Sequence, residues 1–325
     1  MAVEKVTVVV PTFRRPHGII KVLDALGTQQ DVGLPWDIVV VDNDDSPGAE
    51  MAFSAASDGF PVPVRLVREP RRGSAHARNR GIAEASGDVV VFLDDDVVPA
   101  GDWLYRLVEP IIDDRCDATG GRVLLDPSVE LPGWWAEWMA GYLAAFDLDP
   151  NEIELLPDGW VLTASVALRA DLLRASGGFD PELGPRSGVP LVDDDISLSR
   201  RFMIAGGRIR FIPDAVVVHE VPGQRLSRRY LMRRIYAQGR SDWLLDREEL
   251  LKRPLGGTGR ALASLWGHLR DRSAEGIWHR AVLFRSACNV AFTAGFLRET
   301  SRGLVTRWGP RRPPGPPVPT PREQR

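Results

Sequence analysis

Cysteine is scarce in this sequence: two residues, Cys116 and Cys288, in a chain of 325. So few exclude a disulfide framework, and both are read as free thiols in a reducing compartment. A core of this length needs no covalent staples. A dominant sign of charge is missing too, since 41 Lys and Arg against 44 Asp and Glu leave a formal net charge of −3. No overall attraction to polyanions follows, and no nucleic-acid partner is expected. Long uncharged apolar runs are also lacking. A membrane-crossing helix needs about 20 such residues. The nearest run, "AVLFRSACNVAFTAGFL" at 281–297, is interrupted by Arg285 and suits an amphipathic or packed helix. The opening "MAVEKVTVVVPTF" lacks a cationic lead and is broken by Pro11, so no signal peptide is expected. What remains is a globular protein expected in the cytoplasm.

The charges that are present are unevenly placed. Asp is concentrated in the first two-thirds, whereas residues 225–325 are rich in Arg. Such a stretch suits an anionic partner, a membrane surface or a phosphate group, and equally a solvated basic face. Within it, "RLSRRYLMRRIYAQGRSDWLL" (225–245) mixes basic and apolar residues at helical spacing. That pattern fits peripheral contact with an anionic membrane, or a packed helix with a basic outer face. From 227 to about 300 the chain reads as helices. The tail, "GPRRPPGPPVPTPREQR" (309–325), is Pro-rich and basic and is expected to be disordered.

The first 125 residues alternate between strand and helix patterns. Val-rich runs at 5–11, 36–43, 62–69 and 88–94 read as strands, and 16–29, 48–57, 74–86 and 102–113 read as helices. Strands apolar on both faces and separated by helices predict a parallel sheet covered on both sides, an α/β fold. Ligands of such sheets lie beyond the carboxyl ends of the strands. Those ends carry Thr12–Arg14, Asp42–Asp44, Glu69 and Asp94–Asp96. Further on, "WVLTASVALRADLLRASGGFDPELG" (160–184) reads as strand, short helix and Gly-rich turn. "RIRFIPDAVVVHEVP" (208–222) reads as strand, turn, strand. Trp134, Trp135, Trp138, Tyr142 and Phe146 follow helical spacing, as a core-packing helix or as an aromatic platform for sugar rings or lipid.

"DVVVFLDDDVVP" (88–99) delivers three carboxylates, Asp94, Asp95 and Asp96, from a buried strand. Their repulsion needs a positive partner. Asp94 and Asp96 suit a hard divalent cation, Mg²⁺ or Mn²⁺, which takes one or two carboxylates and completes its shell with phosphate oxygens and water. A nucleotide diphosphate would bring those oxygens. A second triplet, Asp193–Asp195, opens a helix, where Asp193 or Asp194 could cap it. His219 ends a buried strand, as a structural residue or a further ligand. His17 and His76 read as solvated or capping residues.

At this point the sequence resembles the inverting glycosyltransferases of family 2, which have the GT-A fold. The matching blocks are "VVVPTFRRP" (8–16), "VVVDNDDSP" (39–47), "RRGSAHARNRGIAEASGDVVVFLDDDVVP" (71–99), "GGFDPELG" (177–184) and "DDISLSRRFMIAGGRI" (194–209). The resemblance implies a metal-dependent transfer from a nucleotide-diphospho-sugar to a hydroxyl acceptor: a glycan precursor such as a cell-envelope polysaccharide, a lipid-linked glycan or a small molecule. Uridine diphosphate is the commonest donor base of the group. By the same resemblance Thr12 and Arg14 border the nucleotide, and Asp42 accepts hydrogen bonds from the base. Arg71, Arg78 and Asn79 approach the nucleotide and its phosphates. Asp94 contacts ribose or metal, Asp96 ligates the metal, and His219 is a third metal or diphosphate ligand. Asp194 takes the family's Glu position and Asp195 the catalytic base, with Asp193 a competing choice. Asp at 194 and Ser165 in "TASVALR" depart from the family pattern. The implied organisation is a GT-A domain over 1–222, with a nucleotide-binding half at 1–100 and an acceptor half at 101–222. A helical extension at 223–305 and a disordered tail at 306–325 follow. Two other readings stand beside it. One is a haloacid dehalogenase-type phosphohydrolase with Asp94 as nucleophile, and the other a binding protein that kept the fold without turnover.

Overall fold

The computed structural model describes residues 2–157, 159–186, 189–190, 192–252, 288 and 290–299. The Val-rich runs form strands because β-branched side chains fit a pleated surface; those at Val6–Thr12, Trp36–Asp42 and Val89–Leu93 are buried on both faces, while the edge run at Val64–Arg68 is half-buried. In chain order the first half comprises β1 (Val6–Thr12), α1 (Pro16–Leu26), β2 (Trp36–Asp42), α2 (Gly48–Ser57), β3 (Val64–Arg68), α3 (Ser74–Glu84), β4 (Val89–Leu93), β5 (Val97–Pro99) and α4 (Trp103–Ile112). The second half adds β6 (Ala118–Leu125), a 3₁₀ segment (Glu137–Leu143), β7 (Ile153–Glu154), β8 (Ser165–Arg169), α5 (Ala170–Ala175), β9 (Pro185–Arg186), β10 (Val189–Pro190), α6 (Asp194–Ile204), β11 (Ile209–His219) and α7 (Arg228–Lys252). Residues 290–299 are helical.

The main sheet runs β3-β2-β1-β4-β8-β6-β11-β5, with β7 on β11. β3, β2, β1 and β4 are parallel, so the expected α/β half is present. β8 breaks the pattern by running antiparallel to both β4 and β6. α3 covers β1 and β2, α1 reaches β5, and α4 packs on β11 and β6. Phe92, Trp103, Phe179, Phe202 and Phe211 are the largest wholly buried side chains and fill one continuous core.

Three expectations change. Residues 208–222 do not form two strands with a turn. β11 is one strand whose register slips between Ile212 and Val216, because Pro213 has no N–H for the ladder. The aromatic stretch is no long helix but the short 3₁₀ segment. Trp134 and Trp135 pack with Met139 against Leu231, Ile235 and Cys288, while Phe146 joins the main core 5.8 Å from Phe211. Asp193 takes the N-cap position of α6, but its side chain makes no capping hydrogen bond. The helices expected over 227–300 are found at α7 and 290–299. Residues 253–287, 289 and the expected disordered tail lie outside the described residues. Among the described residues no helix is long and apolar enough to cross a membrane.

Candidate functional site

Strand pairing assembles the acid rim. β4 ends at Leu93, which projects Asp94–Asp96 beyond the sheet. The chain then forms β5, pairing Val97 with His219 at the end of β11. That pairing sets Asp96 beside His219: Nε2 lies 3.2 Å from Asp96 Oδ2. The positive partners are already in the protein. Arg15 Nη1 reaches Asp95 Oδ1 at 2.9 Å and Asp96 Oδ2 at 2.6 Å. Thr12 Oγ1 donates to Asp95 Oδ2 at 2.7 Å. Burial pushes the Asp95 carboxyl up to about 6, against the pull of Arg15 and Thr12. Burial also works to raise Asp96, but hydrogen bonding to His219 and the charges of His219, Arg15 and Arg225 outweigh it and hold Asp96 well below the usual carboxylate range.

Arg78 serves the other carboxylates. Its Nη2 meets Asp94 Oδ1 at 2.8 Å and its Nη1 meets Asp194 Oδ2 at 2.9 Å. One buried guanidinium thus ties the first acidic block to the second. Asp195 turns to β8's approach, where Thr163 donates to its Oδ1 from both N (3.1 Å) and Oγ1. Burial and the neighbouring Asp194 push the Asp195 carboxyl up to about 7, opposed by Arg78 and Thr163. The "GGFDPELG" block is glycine-rich for steric reasons. At Gly184, with φ +76°, a Cβ would sit 2.7 Å from Asp194 Oδ2 and from Ser74 Oγ. At Gly178, with φ +66°, it would sit 2.6 Å from Asn79 Oδ1.

A cleft of about 480 Å³ opens on this rim, lined by Thr12, Arg14, Asn43, Arg78, Asp94–Asp96 and Arg225 among others. The remaining expected residues divide. Arg14 lines the cleft and pairs with Asp44 at 3.2 Å. Asp42 is buried behind it, accepting the Asp44 N–H at 3.0 Å. Arg71 is committed to Glu69, with Nε 2.9 Å from Oε1. Asn79 does not face the cleft: its amide brackets Phe179, donating to the carbonyl and accepting the N–H at 2.8 Å each. Its place in the block suggested a phosphate contact, but the i+1 position after Arg78 puts it on another side of α3. Arg15, Thr163 and Arg225 were not singled out from the sequence, and Asp95 was named in the triplet without a role of its own. Of the three, only Arg15 carried a signal, its place one residue beyond the end of the rim segment Thr12–Arg14.

Among the described residues, no three His, Cys, Asp or Glu side chains are gathered as a ready metal cage. The donor chemistry at Asp96 and His219 nevertheless fits a hard cation. His219 Nδ1 is 2.7 Å from the Leu143 carbonyl, to which it donates. In the neutral ring that leaves the Nε2 lone pair facing a carboxylate oxygen, and Arg225 Nη1, 3.4 Å from Nε2 and 3.6 Å from Asp96 Oδ2, stands where a cation would. Arg15 stands against the same oxygen and would have to move for a cation to enter.

A parallel α/β half whose strand ends open on an acid-lined cleft defines a class that takes its ligand at the carboxyl ends of the strands. The comparisons make the class specific. The profile described as "Glycosyl transferase family 2" matches residues 7–168, and "Glycosyl transferase family group 2" matches residues 89–305. The chain belongs to the family 2 glycosyltransferases, and the transferase class expected from the sequence stands with that membership. Over 223 residues it is 30% identical to a pre-mycofactocin glycosyltransferase of Mycobacterium tuberculosis, covering 66% of this chain and 42% of that one. It therefore spans less than half the length of that relative. It is 28% identical over 250 residues to glycosyltransferase AglE of Haloferax volcanii, covering 75% of this chain and 76% of that one. It is 29% identical over 234 residues to the succinoglycan biosynthesis protein ExoM of Rhizobium meliloti, covering 71% of each. Among solved structures it superposes on a mannosyltransferase of Pyrobaculum calidifontis in complex with GDP-Man and Mn²⁺, with TM-score 0.62 and 22% identity, over 92% of this chain and 87% of that one. The fold is GT-A. Nothing in fold or family supports the phosphohydrolase reading, and Asp94 is held by Arg78 rather than poised as a nucleophile.

Proposed function

We propose that this chain moves a sugar from a nucleotide-diphospho-sugar to a hydroxyl acceptor with inversion at the anomeric carbon. The facing of Asp96 Oδ2, on the wall of the cleft, and His219 Nε2, buried 3.2 Å behind it, carries the reading. Asp96 and His219 would hold a Mg²⁺ or Mn²⁺ ion, which when bound supplies charge stabilisation to the leaving diphosphate. Thr12, Arg14 and Asp42 border the base and ribose. Arg15 and Arg225, freed from Asp96, turn their guanidinium donors to phosphate oxygens. Asp94 stays with Arg78 and faces the ribose.

Inverting transfer asks one carboxylate to take the acceptor's proton as its oxygen attacks C1. Asp195 suits that role: its carboxyl is raised towards neutrality, and Thr163 fixes its Oδ1 while Oδ2 is left for the acceptor. Asp194, tied to Arg78, orients the pair. One relative is named for pre-mycofactocin and another for succinoglycan biosynthesis, so a glycan, lipid-linked or small-molecule acceptor stays within the proposal. The Arg-rich start of α7 suits an acceptor presented at an anionic membrane.

Calorimetric titration of UDP, GDP and dTDP, with and without Mn²⁺, tests this on wild type and Asp96→Asn. The expected outcome is metal-dependent binding of one nucleotide, weakened at least tenfold by the substitution. Binding of no nucleotide by folded protein with metal present would sink the reading.

A further inference from the structure

The transfer chemistry leaves one residue of the second acidic block unused. Asp193 precedes the Asp194–Asp195 pair, is 6% exposed, and holds a left-handed backbone with φ +70°. A residue other than glycine stays there only when its surroundings fix it. The fixing groups all come from α7. Gln238 Nε2 donates to Asp193 Oδ1 at 2.5 Å and to Asp242 Oδ1 at 2.9 Å. Arg234 Nη1 donates to Gln238 Oε1 at 2.8 Å, which sets which way the amide faces. One residue upstream, the Val192 N–H donates to Ser241 Oγ at 2.8 Å. Positions 234, 238, 241 and 242 fall on one face of a helix.

Asp193 Oδ2 is buried without a hydrogen-bond partner of its own. Burial, and then the charge of Asp242 against it, push the Asp193 carboxyl upward. Two carboxyls bridged by one amide are stable when one of them keeps its proton. The other titratable or charged groups facing them are Arg234 on α7, Tyr142 on the 3₁₀ segment, and Asp194 and Asp195 on α6.

We propose that Gln238 and Asp242 are positioning residues: α7 clamps Asp193, through the Gln238 amide that bridges it to Asp242, in the turn that sets Asp194 and Asp195 beside Arg78. Loss of the proton that one of the two carboxyls keeps leaves two carboxylates on one amide and opens the clamp. Its catalytic consequence rests on the transferase reading, whereas the clamp itself does not.

Two measurements separate them. The first is hydrogen-exchange protection of residues 192–198 in the full chain without substrate, at pH 6 and pH 9, corrected for intrinsic rates. Wild type should lose about tenfold protection over that range, the effect of one displaced ionisation. Asp242→Asn, whose amide donates to an ionised Asp193, should keep its protection at both pH values. Gln238→Ala should be poorly protected at both. The second is nucleotide release from UDP-glucose and GDP-mannose by the same proteins. Turnover should fall above pH 8 in wild type and persist in Asp242→Asn, with KM for the donor unchanged. An Asp242→Asn variant that tracks wild type across pH, or wild-type protection in Gln238→Ala, would overturn the clamp. Turnover of neither donor beside the expected exchange pattern would count against the transferase reading and leave the clamp standing.

Discussion

Arg78 is the residue on which the acid rim depends. It is almost wholly buried, and its two Nη atoms hold Asp94 and Asp194. Removing one member of a buried charge network leaves the others uncompensated, at a cost of about 3–5 kcal/mol. Arg78→Met should therefore lower stability by that order, read from the urea midpoint. Arg78→Lys should recover only part, because a single ammonium cannot fork to two carboxylates. The sequence showed that three adjacent carboxylates need a positive partner, and that much was legible from the strand alone. It pointed to a metal, yet the protein supplies Arg15 and Arg78 first. Arg78 and Asp194 are 116 positions apart, and no local pattern reveals a contact of that span. Asn79 turns to the Phe179 backbone for a related reason: type and block were readable, but which side of α3 it occupies depends on how that helix meets β1.

At the scale of elements, that meeting of α3 and β1 is closer than usual. A Cβ on Gly81 would lie 2.2 Å from Val9 Cγ1. Alanine gains about 1 kcal/mol over glycine in a helix interior, so propensity alone predicts that Gly81→Ala stabilises. Overpacking against a stiff Val costs about 1–3 kcal/mol, and the variant should be less stable. Because Arg78 lies one turn earlier on the same helix, lifting α3 also strains its ion pairs. Adding Val9→Ala should return part of the loss, measurable as a non-additive shift in denaturant midpoint. The elements of the first half were legible because each announces itself by pattern: unbroken Val runs, then apolar residues three and four apart. β5, with three residues, and β8, antiparallel within an otherwise parallel region, carry no such signal. Their pairing is decided by partners far along the chain. The short 3₁₀ segment was missed because its aromatic spacing mimics a helix, while the apolar surface it covers belongs to α7.

For the molecule as a whole, the site and its stability pull on the same carboxyl in opposite directions. Asp195 has a folded-state pKa raised from 3.8 to about 7, with burial the main cause and Asp194 the next. A carboxyl raised in the folded state favours folding when protonated, so its contribution is lost as pH rises from about 4 to beyond 7. As the proposed base it works only when ionised. Turnover should therefore climb with pH through about 7 while unfolding free energy declines over the same range. If the Asp193–Asp242 clamp then opens, the rate turns down again and the profile becomes bell-shaped. Asp195→Asn distinguishes this from general alkaline damage. It should abolish turnover yet raise stability at pH 8 by roughly 2 kcal/mol, less than the shift alone implies because Asp194 shares the interaction. It should also flatten the decline of stability with pH, followed by urea unfolding from pH 5 to 9. An inactive variant no more stable than wild type at pH 8 would mean that the raised carboxyl is not Asp195.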